Sequence, residues 1–294
     1  SDWIRIDKNF PSRMALKSRV YADYGTDAID CREGGYDGCA ELLQMLVKYL
    51  PRRFPSVFHL SADGLEIENR ATGEKFVVGE ESGYGGVHPL RVIGGLIEDD
   101  VVILTKGEEG GEYVLRAAIA GFPAGFNMRE KMGQPLTEIH KPVPTYEERL
   151  KKAMNKFFTN VTPSKMVMRV NWSINDREEL VLLEGGHLYE NDADTPANEQ
   201  INIDEVQLRV ERQVIRRLPR SGAMCMLTKT YLYRLVDIAH EPGFAARMSG
   251  LLHKLPEKIA FYKRKPVWGK VVLGFLDEMA RQYPVERPAD EEEA

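Results

Sequence analysis

The sequence predicts an α+β fold in which helices flank one antiparallel sheet. Short apolar runs come in pairs separated by turn residues, which is typical of antiparallel hairpins. Apolar residues recur at helical spacing near the start, in the middle and at the end of the chain. No repeat and no linker divides the 294 residues. We therefore expect a single domain over residues 1–286, followed by an acidic, disordered tail over residues 287–294.

The predicted helices are separated by prolines and glycines. Thr145 with Glu148 three residues later is a typical start signal for the middle helix, and Pro256 and Pro266 interrupt the last ones. We expect helices over residues 40–49, 89–97, 146–158, 236–252 and 257–283, with a helical turn at 127–132.

The predicted strands form a small meander, a hairpin and three longer strands. In the strand over residues 166–174, alternation places Met168, Val170 and Trp172 on one face, which we expect to be buried. The last two strands flank the turn-forming segment 219–222. The expected strands cover residues 57–60, 65–68, 75–78, 101–105, 113–120, 166–174, 206–218 and 223–232.

Composition and charge exclude several classes of protein. Forty basic and forty-five acidic side chains give a net charge of −5, so no basic surface for nucleic acid is expected. Cys31, Cys39 and Cys225 are too scattered for a disulfide framework or a zinc site. A reducing compartment is the default, although Cys31 and Cys39 pairing in an oxidising one stays open.

The chain contains no apolar run long enough for a membrane span and no signal peptide. We expect an intracellular protein, either cytoplasmic or associated with a membrane. Because the chain starts at Ser1 without a methionine, a membrane anchor is expected only in a segment removed from its N-terminus.

His140 is the most informative single residue of the sequence. It lies in Ile139-His140-Lys141-Pro142-Val143-Pro144, where the two prolines favour extended backbone. A short, stiff arm of this kind holds an imidazole at a fixed point. The alternative is that His140 only hydrogen-bonds a neighbouring carbonyl at the entrance to a helix.

Two arginines on strands are further candidates for binding an anion. Arg212 interrupts the apolar parity of the strand over residues 206–214, so it needs an anionic partner if it points inward. That partner is either a carboxylate of the protein or a carboxylate of a cofactor. Arg169 lies beside Asn171 on one face of the strand over residues 166–174. A positioned histidine and an inward arginine are compatible with a haem pocket.

The order of several short motifs resembles the haem-dependent oxidative N-demethylase-like proteins from about residue 2 to about residue 240. Phe126 departs from the tryptophan expected in the glycine loop, and Val214-Ile215 from the expected Thr-Leu pair. The motifs are Asp2-Trp3-Ile4-x-Ile6-Asp7, Phe122-Pro123-x-Gly125, Lys131-x-Gly133-x-Pro135-Leu136, Ile139-His140-x-Pro142-Val143-Pro144, Asn171-Trp172-Ser173, Val210-Glu211-Arg212-Gln213 and Arg217-Leu218-Pro219-x-Ser221-Gly222.

The resemblance implies a PAS-like fold that binds haem b, with His140 as the axial ligand of the iron. It places Arg212 at the haem propionates or in the substrate pocket, and we add Arg169 as a cofactor-binding candidate. It also implies oxidation of a small amine by O2, with electrons from a flavin-containing reductase. One alternative is a PAS-like haem-based gas or redox sensor without turnover. Another is a chain that has lost haem and binds a partner.

Overall fold

The computed structural model describes residues 2–107, 111–192 and 195–284, and the expected acidic tail lies outside them. The described residues form a mixed α+β structure, as the sequence predicts. The strands are β1 (Ile29–Cys31), β2 (Phe58–Leu60), β3 (Glu66–Asn69), β4 (Glu74–Val77), β5 (Asp100–Lys106), β6 (Tyr113–Ile119), β7 (Val167–Asn175), β8 (Gln207–Arg217) and β9 (Met224–Arg234). The helices are α1 (Phe10–Tyr24), α2 (Tyr36–Arg53), α3 (Pro89–Leu96), α4 (Leu136–His140), α5 (Lys151–Asn160), α6 (Leu235–Ile238), α7 (Phe244–His253), α8 (Glu257–Tyr262) and α9 (Lys265–Gln282).

A six-stranded antiparallel sheet is the platform of the fold. Its strand order is β1-β6-β5-β9-β8-β7, so β7 is an edge strand. Strands β2, β3 and β4 form the separate meander that the sequence predicts. The two longest strands, β8 and β9, are joined by a tight turn in which Gly222 has a φ of 69°, a conformation that favours glycine.

The platform separates two layers of apolar packing, and a third apolar cluster lies among the last helices. One face is covered by the core of α1, α2, α3 and the meander. The other face packs against the short helix α4 and against α5, since Leu136 and Phe158 share a cluster with Ile215 of β8. Helices α6, α7 and α9 build the third cluster, which contains the fully buried Trp268.

Helix α1 is missing from the sequence-based prediction. Its buried positions include Phe10, Met14 and Val20, but Lys17 interrupts the apolar stripe and is itself fully buried. The Lys17 ammonium donates hydrogen bonds to the backbone carbonyls of residues 97, 98 and 99. A charged residue on the core face hides the helical pattern from periodicity alone.

The predicted burial of one face of β7 is wrong. Met168 and Val170 are 57% and 56% exposed, and β7 is the edge strand of the sheet. Only Ile174, further along that face, is buried. Helix α2 also continues through Pro51 to Arg53, beyond the end that the sequence predicts.

Among the described helices, none combines the length and the apolar character that a membrane crossing requires.

Candidate functional site

His140 is the last residue of the short helix α4, so the prediction of an extended arm is wrong at this position. The start of helix α4 is stabilised by the Glu112 carboxylate. This carboxylate accepts hydrogen bonds from the Thr137 backbone N–H at 3.0 Å and from the Thr137 hydroxyl at 2.6 Å. This contact satisfies backbone donors at the helix start, where a negative charge is favourable. The expected cap at Thr145 is also wrong, since Thr145 has a φ of 61° and its side chain makes no capping hydrogen bond.

The hydrogen bond of His140 defines its tautomer. Its Nδ1 lies 2.8 Å from the Leu136 carbonyl oxygen, which can only accept, so Nδ1 carries the hydrogen. Burial lowers the pKa of His140, and the positive charges of Arg169 and Lys131 lower it further. The neutral ring therefore has its lone pair on Nε2, for which the described residues provide no hydrogen-bond donor.

The plane of the His140 ring is held by stacking. The ring lies nearly parallel to that of Tyr146, with 4.8 Å between centroids and an interplanar angle of 11°. A neutral imidazole with Nδ1–H bound to a carbonyl, a fixed plane and an open Nε2 is the usual arrangement of a metal-binding histidine. The simpler alternative, a histidine bonded to a nearby carbonyl, is therefore observed, and the same contact leaves the lone pair on Nε2. The exposed carboxylate of Glu138, two residues earlier, lies 3.9 Å from the Lys141 ammonium.

Arg169 and Arg212 lie on opposite faces of the sheet. Arg169 is opposite Gln213 in the pairing of β7 with β8, whereas Arg212 is opposite Val170. Residues paired across an antiparallel ladder share a face. We call the face with Arg169, Asn171, Arg209, Glu211 and Gln213 the Glu211 face, and the other face the Arg212 face.

Of these two arginines, only Arg169 lies close enough to His140 to affect its charge. The Arg169 side chain is exposed, and within the described part of the chain its guanidinium makes no hydrogen bond or ion pair. Arg212 instead donates to the carbonyl oxygens of Trp3, at 3.2 Å, and of Asp2. The inward arginine that the sequence predicts thus holds the N-terminal segment against the sheet, and the structure does not bring it to His140.

A hydrogen-bonded network covers the Glu211 face. The Glu211 carboxylate accepts from Arg209 Nε at 3.2 Å, from Gln213 Nε2 at 3.1 Å and from Asn171 Nδ2 at 3.3 Å. Arg209 is almost completely buried and also donates to the Leu180 carbonyl at 2.9 Å. The carboxylate is therefore fixed in orientation and its charge is balanced.

The sequence contains a signal for this network that the sequence-based prediction missed. Arg209, Glu211 and Gln213 alternate along one parity of β8, and this parity places three polar groups side by side. The prediction instead followed Arg212, which lies on the other parity.

A second histidine faces the same network. His187 stacks on Tyr262, with 4.3 Å between ring centroids, and burial lowers its pKa to about 4. The nearby Lys263 ammonium adds to this effect, while Glu211 opposes it. Lys263 donates to the Trp172 carbonyl at 2.6 Å. No sequence motif marked His187, because its position depends on how its loop packs against α8.

The glycine loop of residues 120–126 packs against protein. A Cβ atom on Gly125 would lie 2.3 Å from Gly186 Cα, and the Gly125 N–H donates to the Leu182 carbonyl at 2.6 Å. The loop is therefore a packed bend. The loop fixes the segment that leads to His187.

The chain was also compared with models of known protein families. Residues 1–273 match the family model described as haem-dependent oxidative N-demethylase, alpha subunit-like. The chain belongs to this family. The family description supports haem dependence and an oxidoreductase activity, in agreement with the resemblance found in the sequence. Within the described residues, histidine, cysteine and carboxylate side chains form no cluster of three that would hold a metal ion without a porphyrin.

Proposed function

We propose that this protein is a haem b-dependent oxidase that removes a methyl group from a small amine, using O2 and electrons from a flavin-containing reductase. Family membership supports the haem and the oxidation. The observation that carries the proposal is the open Nε2 of His140, a neutral and partly buried ring within a family motif.

The chemistry of the side chains around His140 supports a haem group. His140 would hold the iron through Nε2, and the Leu136 carbonyl would keep Nδ1 protonated and the ring in place. Arg169, with its unpaired guanidinium on the same side, would meet a propionate carboxylate. Arg212 is committed to the N-terminal carbonyls, so we do not assign it to the haem.

Bound haem would supply the activation of O2 and the oxidation of the methyl group. The chain supplies the surroundings. The network around Glu211 gives a rigid polar wall, and its carboxylate is the fixed negative charge that a protonated amine requires for orientation. His187 and Tyr262 border this wall, and both stay uncharged near neutral pH, since burial lowers the pKa of the histidine and raises that of the tyrosine.

Replacing each of the two partly buried histidines, His140 and His187, tests the assignment of the ligand. The full chain, expressed with a haem precursor, should show a Soret band that is lost in His140→Ala and retained in His187→Ala. His59→Ala, at an exposed strand position of the meander, is the matched control and should resemble the unsubstituted protein.

The opposite pattern, with the band lost only in His187→Ala, would transfer the ligand role to His187. A band unchanged in both variants would contradict a histidine ligand altogether. With reductant, O2 and secondary methylamines, formaldehyde release supports the oxidase. Gas binding without formaldehyde would instead support the haem-based sensor.

A further inference from the structure

Two cysteines far from His140 in the sequence form a close thiol pair. Cys31 ends strand β1, and Cys39 lies in the first turn of helix α2. Both are free thiols, and their Sγ atoms are 4.0 Å apart. Cys39 is fully buried, whereas Cys31 is partly accessible to solvent. Cys31 can therefore react with a small solute, while Cys39 is shielded from solvent and lies within reach of Cys31.

Several groups beside Cys31 favour its thiolate, although the Arg32 carbonyl oxygen, 3.7 Å from Sγ, accepts from the protonated thiol. The Cys39 thiol donates a hydrogen bond to Cys31, and this contact is the main reason why the pKa of Cys31 falls to about 5. Cys31 Sγ also lies at the start of α2, since a Cβ atom built on the N-cap residue Gly35 would be 3.0 Å from it. The positive end of a helix dipole stabilises an anion there.

His88 is a further polar group near Cys31. Its Nδ1 accepts the Leu90 backbone N–H at 3.1 Å, so a neutral ring carries its hydrogen on Nε2. The ring lies close enough to Cys31 to lower the pKa of the thiol further. Its edge-to-face contact with Tyr36, at 5.3 Å between centroids, holds the ring beside the first turn of α2.

We propose that Cys31 and Cys39 are a peroxide-reactive dithiol, with Cys31 as the attacking thiol and Cys39 as the resolving thiol. In the first step the Cys31 thiolate attacks a peroxide oxygen, the S–O bond forms and the O–O bond breaks. The leaving hydroxide takes a proton and departs as water, and Cys31 becomes a sulfenic acid. In the second step Cys39 attacks the Cys31 sulfur, the S–S bond forms, and the sulfenic oxygen leaves as water with the Cys39 proton.

Together, the two steps convert two thiols and one hydrogen peroxide into one disulfide and two waters. The sulfurs lose two electrons together and the peroxide gains them. The thiols must approach by about 2 Å to reach a disulfide bond length of about 2.05 Å. Such a movement is local, because Cys31 is a strand end and Cys39 is in the first turn of its helix.

Cys225 is the internal contrast. It is fully buried in β9, and burial raises its pKa to about 12. A thiol of this kind is inert toward peroxide. The chain therefore contains both a reactive pair and a natural unreactive reference.

The experiment treats the folded full chain with hydrogen peroxide, blocks the remaining thiols with N-ethylmaleimide and maps the products by mass spectrometry. We expect a Cys31–Cys39 disulfide that dithiothreitol reverses. In Cys39→Ser we expect dimedone to trap a sulfenic acid at Cys31, and Cys225→Ser should behave like the unsubstituted chain. Oxidised glutathione, a second oxidant that does not react with haem, should produce the same disulfide.

Absence of the disulfide in the folded chain, or oxidation of Cys225 before Cys31, would overturn the proposal. Alkylation by iodoacetamide gives an independent measurement on the untreated protein. The rate at Cys31 should rise with a midpoint below pH 7, and this midpoint should shift upward more in Cys39→Ala than in Cys39→Ser, which keeps a donor. A midpoint that stays at the value of an ordinary thiol in every variant would also contradict it.

Discussion

Glu211 and Asp99 are two shielded carboxylates on opposite sides of the sheet, and they differ in their hydrogen bonding. Glu211 accepts hydrogen bonds from three side chains and is balanced by the adjacent Arg209. Asp99 is only 1% exposed, and neither of its carboxylate oxygens has a hydrogen-bond partner among the described residues. Burial raises the pKa of Asp99 to about 6, although Lys229 and Lys17 oppose this effect.

The two carboxylates differ in whether donors of the protein fix their orientation and balance their charge. Hydrogen bonds orient a carboxylate and offset the cost of shielding its charge from water, whereas burial without them makes the charge costly. The Glu211 face is therefore the side on which a ligand charge can be met at little cost. On the other side, the charges of Arg212, Lys229 and Asp99 are engaged with the protein itself.

The largest expected effect comes from Asp99→Asn. A pKa raised from 3.8 to about 6 destabilises the folded state once Asp99 ionises. Below about pH 4 the group is protonated in both states and contributes nothing. Between about pH 4 and pH 6 the unfolded chain releases the proton first, so stability falls as pH rises. Asp99→Asn should therefore increase the free energy of unfolding at pH 8 by about 3 kcal/mol.

Urea unfolding followed by circular dichroism at pH 4 and pH 8 measures this difference. Asp23→Asn, at an exposed position of α1, is the control and should change stability by less than about 0.5 kcal/mol at either pH. A stabilisation that is equal at the two pH values would show that ionisation of Asp99 is not the cause.

The next effect concerns binding, and it tests the role proposed for Glu211. Glu211→Gln keeps the shape but removes the negative charge, so we expect KM for a protonated secondary methylamine to rise about 10-fold, which corresponds to about 1.4 kcal/mol. Asn171→Ala removes one hydrogen bond to the carboxylate and leaves its charge in place. Its KM should change much less.

Steady-state formaldehyde release provides KM and kcat separately, and the Soret band verifies that haem is bound in each variant. If Glu211→Gln lowers only kcat while KM stays constant, the carboxylate does not orient the amine. If Asn171→Ala raises KM as much as Glu211→Gln does, the orientation of the carboxylate matters more than its charge.

The sequence predicted the strands of this fold better than it predicted the site. Hairpins such as β8–β9 depend on local turn residues and alternation, and these are visible in the sequence. The burial of Met168 was wrong because edge position depends on the whole sheet order. His140 was identified by its motif, but its helix depends on Glu112, a contact distant in sequence that no local pattern reveals. His187 was missed for the same physical reason.

Effects of similar size separate the two arginines that the sequence proposed together. Arg212→Ala removes the donors to the carbonyls of Asp2 and Trp3, so the free energy of unfolding should fall by about 1–2 kcal/mol while haem affinity stays the same. Arg169→Ala, at an exposed position, should leave stability within about 0.5 kcal/mol but weaken haem binding about 10-fold. Urea unfolding and haem titration of both variants test this double contrast. If only Arg212→Ala weakened haem binding, Arg212 and not Arg169 would be the arginine that contacts the propionates. The N-terminal segment that Arg212 holds would then have to move when haem binds.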